Sequence, residues 1–149
     1  MIITSPSFID GGEIPKKFTC DGGEINPEFQ VLNVPDEAKS LALIVHDPDA
    51  PREGGFTHWV VWNIDPRTTL IKEESIPPGA TEGANGSGRT GYAAPCPPPG
   101  HGAHHYHFKL YALDTFIDLP EGATQDELLE AMEGHRLEDA ECVGLYERK

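Results

Sequence analysis

Four side chains capable of acid–base or hydrogen-bond chemistry stand at the ends of apolar stretches that are far apart in the chain. They are Asp47 in LALIVHDPDAP, His58 in FTHWVVWNI, and His104 with Tyr106 in HGAHHYHFKLYAL. A carboxylate, two imidazoles and a phenol brought to one mouth would form a pocket for a small anion. A neutral imidazole donates from one nitrogen and a charged one from both. Two of them beside a phosphate or carboxylate gain charge-assisted hydrogen bonds. Asp47 would repel a fully ionised ligand unless it shares a proton with it, or orients His58 or His104 through the second ring nitrogen. Tyr106 adds a neutral donor or a wall, and backbone amides around 96–102 offer further donors in the manner of an anion nest. No GxxxxGK[ST] loop and no GxGxxG after a strand is present, so nucleotide-type phosphate cradles are absent.

The elements that must position these groups are strands. Alternation puts Leu41, Leu43 and Val45 on one face with Asp47 continuing it, and Phe108 and Leu110 on one face with Tyr106 and His104. In the middle stretch the same bookkeeping joins His58 to Val60, Trp62 and Ile64. Each row is apolar along its length and polar at its tip, the general form of a small-ligand site. Two plainer readings stand beside this one: His58, next to two tryptophans, also fits a hydrogen-bonded rim histidine, and Asp47 before Pro48 also fits a turn cap.

Core strands are expected at 29–34, 40–46, 59–64 and 105–113, with a last one at 142–146. Prolines at 48 and 51 stop the strongest of them. Residues 17–20 suggest a short extended piece. The stretch 72–103 is rich in proline and glycine and shows no periodic element, a loop long enough to imply a task. Thr124 and Glu127 have the spacing of a capping box ahead of Leu128, Leu129, Ala131 and Met132, so a helix is expected there, closed by Gly134. A helical turn is expected over 137–140. Short connections favour antiparallel pairing. The expected fold is mainly β, a single domain over 1–149 with one or two short helices near the C-terminus.

The site is poorly equipped for turnover. A nucleophile would have to be Cys96, or Ser75, Ser87 or Thr90 on the long loop, and no GxSxG elbow occurs. Histidines 101, 104, 105 and 107 raise the question of a metal, but alternation turns His105 and His107 away from His104. No metal and no cofactor are expected; a metal-assisted or cysteine-dependent hydrolase is the lowest-ranked reading. With 149 residues the chain can bury roughly two-thirds of its unfolded surface. A formal charge of −14 argues against wrapping nucleic acid or settling on an anionic membrane, while leaving room for a small anion held by local donors. Cys20, Cys96 and Cys142 are odd in number and widely spaced, so reduced thiols are expected, with one bridge possible. The first 15 residues lack a basic region and a long apolar run, and no stretch reaches membrane-spanning length, which sets a cytoplasmic expectation.

The same residues carry a likeness. DPDAP (47–51), His58-Trp59 entering the next strand, and GYAAPCPPPGHGAHHYHF (91–108) resemble the motifs of the phosphatidylethanolamine-binding protein family, in its compact bacterial and archaeal branch. CDGGEINP (20–27), SLALIV (40–45), LYALD (110–114) and AMEGH (131–135), leading to VGLYER, extend the likeness over essentially the whole chain. The resemblance implies a large central and a small antiparallel sheet, and a pocket for phosphate, acetate or phosphorylated head groups. Carried over by position, that pocket would be Asp47, Asp49, His58, His104 and Tyr106, with the chain around Cys96 and Pro97. Inhibition of a serine protease or regulation of a signalling kinase through a stiff loop, such as 94–100, and a homodimer are further implications. His46, where relatives often carry an acidic residue, departs from the pattern and adds a local positive option.

Overall fold

The computed structural model describes residues 1–149. Its elements are β1 (Ile2–Thr4), β2 (Phe29–Leu32), β3 (Ser40–Asp47), β4 (Phe56–Ile64), β5 (Leu70–Ile71), β6 (Thr81–Glu82), β7 (His104–Leu113), α1 (Gln125–Met132) and β8 (Arg136–Tyr146). A large sheet has the order β6-β4-β3-β7-β8 and a small one the order β1-β2-β5, with every neighbouring pair antiparallel. β3 lies at the centre of the large sheet, as expected for a stretch that is apolar on both faces.

Its two faces serve two cores. Leu41, Leu43 and Val45 meet Trp59, Val61, Phe108 and Leu110, and pack against Phe29 and Val31 of the small sheet. Ala42 and Ile44 meet Val60, Trp62, Tyr111 and Leu113 on the other side, where Leu128 and Met132 of α1 cover them. The helix begins as its sequence predicts: Thr124 Oγ1 accepts the Glu127 N–H, and the Glu127 carboxylate accepts the Thr124 N–H, the reciprocal capping box.

Several expectations need correcting. Residues 137–140 form no helical turn; β8 starts at Arg136 and pairs with β7 along its whole length. It is an edge strand with one solvated flank, so its outer residues carry no apolar alternation to announce it. Lys16–Phe18 is a 3-10 turn rather than an extended piece. The 72–103 stretch contributes the two-residue strand β6 at the sheet edge, and β1 and β5 are too short to leave a periodic signal.

The largest correction concerns the cysteines. Cys20 and Cys96 form a disulfide, and Cys142 is the free, buried thiol. Seventy-six positions separate the bridged pair, so only the fold could reveal it. The Cys20 N–H donates to the Pro95 carbonyl at 3.1 Å and the Tyr92 hydroxyl to the Phe18 carbonyl at 3.0 Å, which lay the two segments side by side.

Candidate functional site

The polar tips converge where β3, β4 and β7 end. Asp47, His58, His104 and Tyr106 are all buried, with 2%, 5%, 1% and 0% of their surfaces exposed. β3 and β7 deliver their residues by plain alternation: Asp47 continues the Leu43–Val45 face, and His104 and Tyr106 continue the Phe108–Leu110 face.

His58 arrives differently. Val45 pairs with Trp59 and His46 with Thr57, so one step along β3 matches two along β4, and His58 is the extra residue of a β-bulge. Strict alternation would turn it toward Val60 and Trp62 on the helix side. The bulge re-aims it, and its ring packs edge-on against Tyr106, 5.1 Å between centroids, and against Phe56 at 4.8 Å. A second irregularity, between Leu41 and Leu43 on β3, places Ile64 in the core shared with Trp59 and Val61 rather than with Trp62. The grouping of His58 with Val60, Trp62 and Ile64 is therefore wrong, because two bulges reset the alternation.

The hydrogen bonds assign roles. Asp47 Oδ1 accepts the Asp49 N–H at 2.8 Å, and Oδ2 accepts the His104 Nδ1–H at 2.7 Å. Both carboxylate oxygens are thus engaged within the protein, and Asp47 holds His104 with Nε2 as its outward nitrogen. His101 Nδ1 meets that Nε2 at 2.7 Å, one proton shared between two rings, and His101 itself is exposed. His58 Nδ1–H donates to the Ala93 carbonyl at 2.7 Å. Burial pulls the His58 imidazole down to about 4, against a smaller opposing contribution from the Ala93 bond, so it is neutral at pH 7. Burial also pushes the Tyr106 phenol well above its ordinary range, with the Asp47 charge adding to the effect, and it stays an O–H.

The remaining expected residues flank this cluster. The exposed Asp49 carboxylate accepts both the backbone N–H and the Nδ1–H of His105, at 2.8 and 2.7 Å, and the His105 contact holds it below the usual carboxylate range. It clamps the 47–51 turn to β7. Cys96 is in the disulfide and its Sγ receives the Arg148 guanidinium at 3.4 Å, while Pro97 is buried beside it. His46 bonds the Gly54 carbonyl at 2.8 Å and Thr57 at 3.2 Å. It borders a separate cavity of about 330 Å³, whose lining also includes Arg52, Gln125 and Asp126. His107 turns to Glu141, 3.3 Å away. Sequence reasoning weighed His101 only as a metal candidate and not as the partner of His104, three residues on, and it left out Phe56, the Cα partner of Asp47 in the sheet.

With Cys96 bridged, a Cys96 thiolate paired with His104 does not exist here. No group of three or more His, Cys, Asp or Glu side chains is arranged to hold a metal ion.

Comparison with known proteins decides the family. The sequence profile described as phosphatidylethanolamine-binding protein matches residues 4–147. The chain belongs to the phosphatidylethanolamine-binding protein family. It is 49% identical over 153 residues to a UPF0098 protein of Methanothermobacter thermautotrophicus, covering 99% of each chain. It is 48% identical over 155 residues to a UPF0098 protein of Pyrococcus abyssi, covering all of this chain and 86% of that one. Among solved structures, a phosphatidylethanolamine-binding protein homologue from Chlamydia trachomatis superposes with a TM-score of 0.94 at 44% identity, covering 99% of this chain and 97% of the other. YbcL of Escherichia coli, a member of the mammalian family, gives 0.92 at 31% identity, with 99% and 98% covered. A carboxypeptidase Y inhibitor solved with its cognate proteinase shares the fold alone, at a TM-score of 0.60 and 17% identity over 99% of this chain and 83% of that one. The family is one of ligand-binding proteins rather than enzymes. No helix is long and apolar enough to cross a membrane.

Proposed function

We propose that the chain binds a small oxyanion, of the phosphate or carboxylate kind, at the ends of β3, β4 and β7. The observation that carries this reading is the arrangement of Asp47. Both of its oxygens are satisfied internally, so it aims His104 without presenting a bare carboxylate to the ligand. With Nδ1–H held by Asp47, His104 Nε2 donates to the anion in the doubly protonated ring, the Tyr106 hydroxyl is a second donor, and the apolar floor of Phe108 and Val45 lowers the competition from water. The anion takes the place of the His101 ring at His104 Nε2, and His101, being exposed, can swing aside.

The test is a titration with phosphate, acetate and phosphoethanolamine, followed by histidine ring resonances between pH 6 and 8. His104 and His58 should shift together, saturably, and His104→Ala should abolish the response. An absence of any shift at millimolar anion would refute the pocket.

A second reading, inhibition of a serine protease or binding of a kinase, is favoured by one observation. The Pro-rich segment 96–100, exposed except at the buried Pro97, is pinned by the Cys20–Cys96 bridge and by the Gly100 N–H donating to the Arg148 carbonyl at 2.9 Å, so little entropy is lost when it docks. Inhibition that survives His104→Ala but is lost on substitutions at Pro98 and Pro99 would support it; no inhibition across a panel of serine proteases would count against it.

A further inference from the structure

We infer that a second groove docks an extended, arginine-bearing segment of a partner protein. The groove lies between residues 24–26 and 74–76, is floored by Trp59 and Tyr92, and encloses about 470 Å³. It shares no lining residue with the cluster of Asp47, His58, His104 and Tyr106.

The groove is built from fixed parts. The buried Trp59 indole donates its Nε1–H to Glu82 Oε2 at 2.6 Å, which holds that carboxylate in place. Tyr92 stands edge-on to the indole, 5.7 Å between centroids, and its hydroxyl is tied to the Phe18 carbonyl at 3.0 Å. The buried Asn26 straps the two walls together. Its Nδ2–H donates to the Lys72 carbonyl at 3.0 Å, its Oδ1 accepts the Ser75 N–H at 3.0 Å, and its carbonyl accepts the Glu74 N–H at 3.2 Å. Glu24 and Glu74 have left-handed backbones, with φ of 56° and 50°. Residues with a side chain keep that conformation only where their surroundings impose it. Pro77 and Pro78 stiffen the chain just past Ile76. A partner therefore meets a groove that is already formed, and little ordering is left to oppose binding.

Charge and shape choose the occupant. Besides the two aromatic rings the surface is Ile25 and Ile76, the latter 50% exposed, so apolar area is left for a partner to cover. Glu24, Glu74 and Glu82 also line the groove, and no lysine, arginine or histidine does. The nearby Lys17 is taken by Glu73, 2.6 Å away, and neutralises none of the three. An apolar floor beside carboxylates matches a side chain that is apolar along its stem and cationic at its end. Arginine fits better than lysine, because a planar guanidinium stacks on aromatic rings and pairs with a carboxylate through two parallel bonds. The volume exceeds what one side chain fills, so apolar neighbours of that arginine settle on Ile25 and Ile76. A second copy of this chain is disfavoured, since each carries a formal charge of −14. The same field draws a basic partner in.

The experiment titrates the full chain with a blocked Ile-Arg-Ile peptide and with counterparts carrying citrulline or glutamate in place of arginine. Binding is read by calorimetry and by the Trp59 indole N–H resonance. The arginine peptide should bind saturably and move that resonance, while the His58 and His104 ring signals stay still. The citrulline peptide, of the same shape without the charge, should bind about tenfold more weakly, and the glutamate peptide not at all. Glu24 and Glu74 are exposed, so Glu24→Gln/Glu74→Gln keeps the fold and should weaken the arginine peptide about fivefold. Added salt should weaken it as well. Arginine and citrulline peptides binding alike, or an unchanged affinity in the double variant, overturns the inference. Shifts centred on His58 and His104 overturn it too, by assigning the peptide to the anion pocket. Self-association of the chain that Ile76→Ser abolishes would make the groove an interface between copies, and no binding of the arginine peptide at millimolar concentration leaves it without the partner named here; each refutes the inference.

Discussion

Cutting the Cys20–Cys96 bridge tests the fold at the place where sequence and structure disagree most. The bridge closes a loop across 76 positions, and the chain-entropy relation assigns a loop of that length about 4.5 kcal/mol of stabilisation, acting on the unfolded chain. In the folded state the two segments stay together without it, through the Cys20 N–H to Pro95 carbonyl and the Tyr92 hydroxyl to Phe18 carbonyl bonds. The variant Cys20→Ser/Cys96→Ser should accordingly fold as the wild type does and unfold about 4 kcal/mol more easily. For a chain of this size that corresponds to roughly 10–15 °C in Tm. Urea denaturation of oxidised wild type, reduced wild type and the double variant is the assay. The reduced wild type and the variant should coincide, and alkylation with mass measurement should count one free thiol in oxidised, unfolded protein and three after reduction. Two free thiols gained on reduction with a stability change below about 1 kcal/mol would refute the entropic reasoning. Three thiols free before reduction would refute the bridge itself.

Other consequences follow from the site. His101→Ala removes a ring that competes for His104 Nε2, so phosphate affinity should rise, by up to about tenfold for one hydrogen bond of ordinary net strength; isothermal titration reads this directly, and weaker binding would instead make His101 a ligand contact. Lowering the pH should destabilise the fold through His58. Its folded value of about 4 lies below the unfolded 6.5, so the unfolded chain takes up the proton first; the contribution is whole above pH 6.5, is lost as the pH falls toward 4, and amounts to about 3 kcal/mol. Comparing urea midpoints of wild type and His58→Gln between pH 7 and 4 isolates it, and parallel curves would contradict the burial argument. Gly55 has φ +75°, and a Cβ there would lie 2.3 Å from the Asp47 carbonyl oxygen. Gly55→Ala should therefore cost about 2 kcal/mol or more and weaken anion binding by shifting the end of β3, both measurable in one variant.

Much of the architecture was legible because its signals are local. SLALIVH announces a central strand, Thr124-to-Glu127 spacing announces a helix start, and Asp47, His104 and Tyr106 fall on their faces by period-2 counting alone. β8 was half hidden because its first residues are solvated on an edge, and the Asp49–His105 contact depends on two segments 56 positions apart.

What the sequence determined by itself is the core strands β2, β3, β4 and β7, the inner faces of β3 and β7, and three of the four buried polar tips, since each depends on side chains a few positions apart. What only the tertiary structure decided is where partners from distant segments meet. The register between β3 and β4 makes His58 a bulge residue and turns it from the helix side into the pocket. The Ala93 carbonyl chooses which of its nitrogens carries the proton. Cys20 finds Cys96 rather than Cys142. Pairing register, hydrogen-bond direction and disulfide partner are properties of two backbones brought side by side, and no periodicity within either one encodes them.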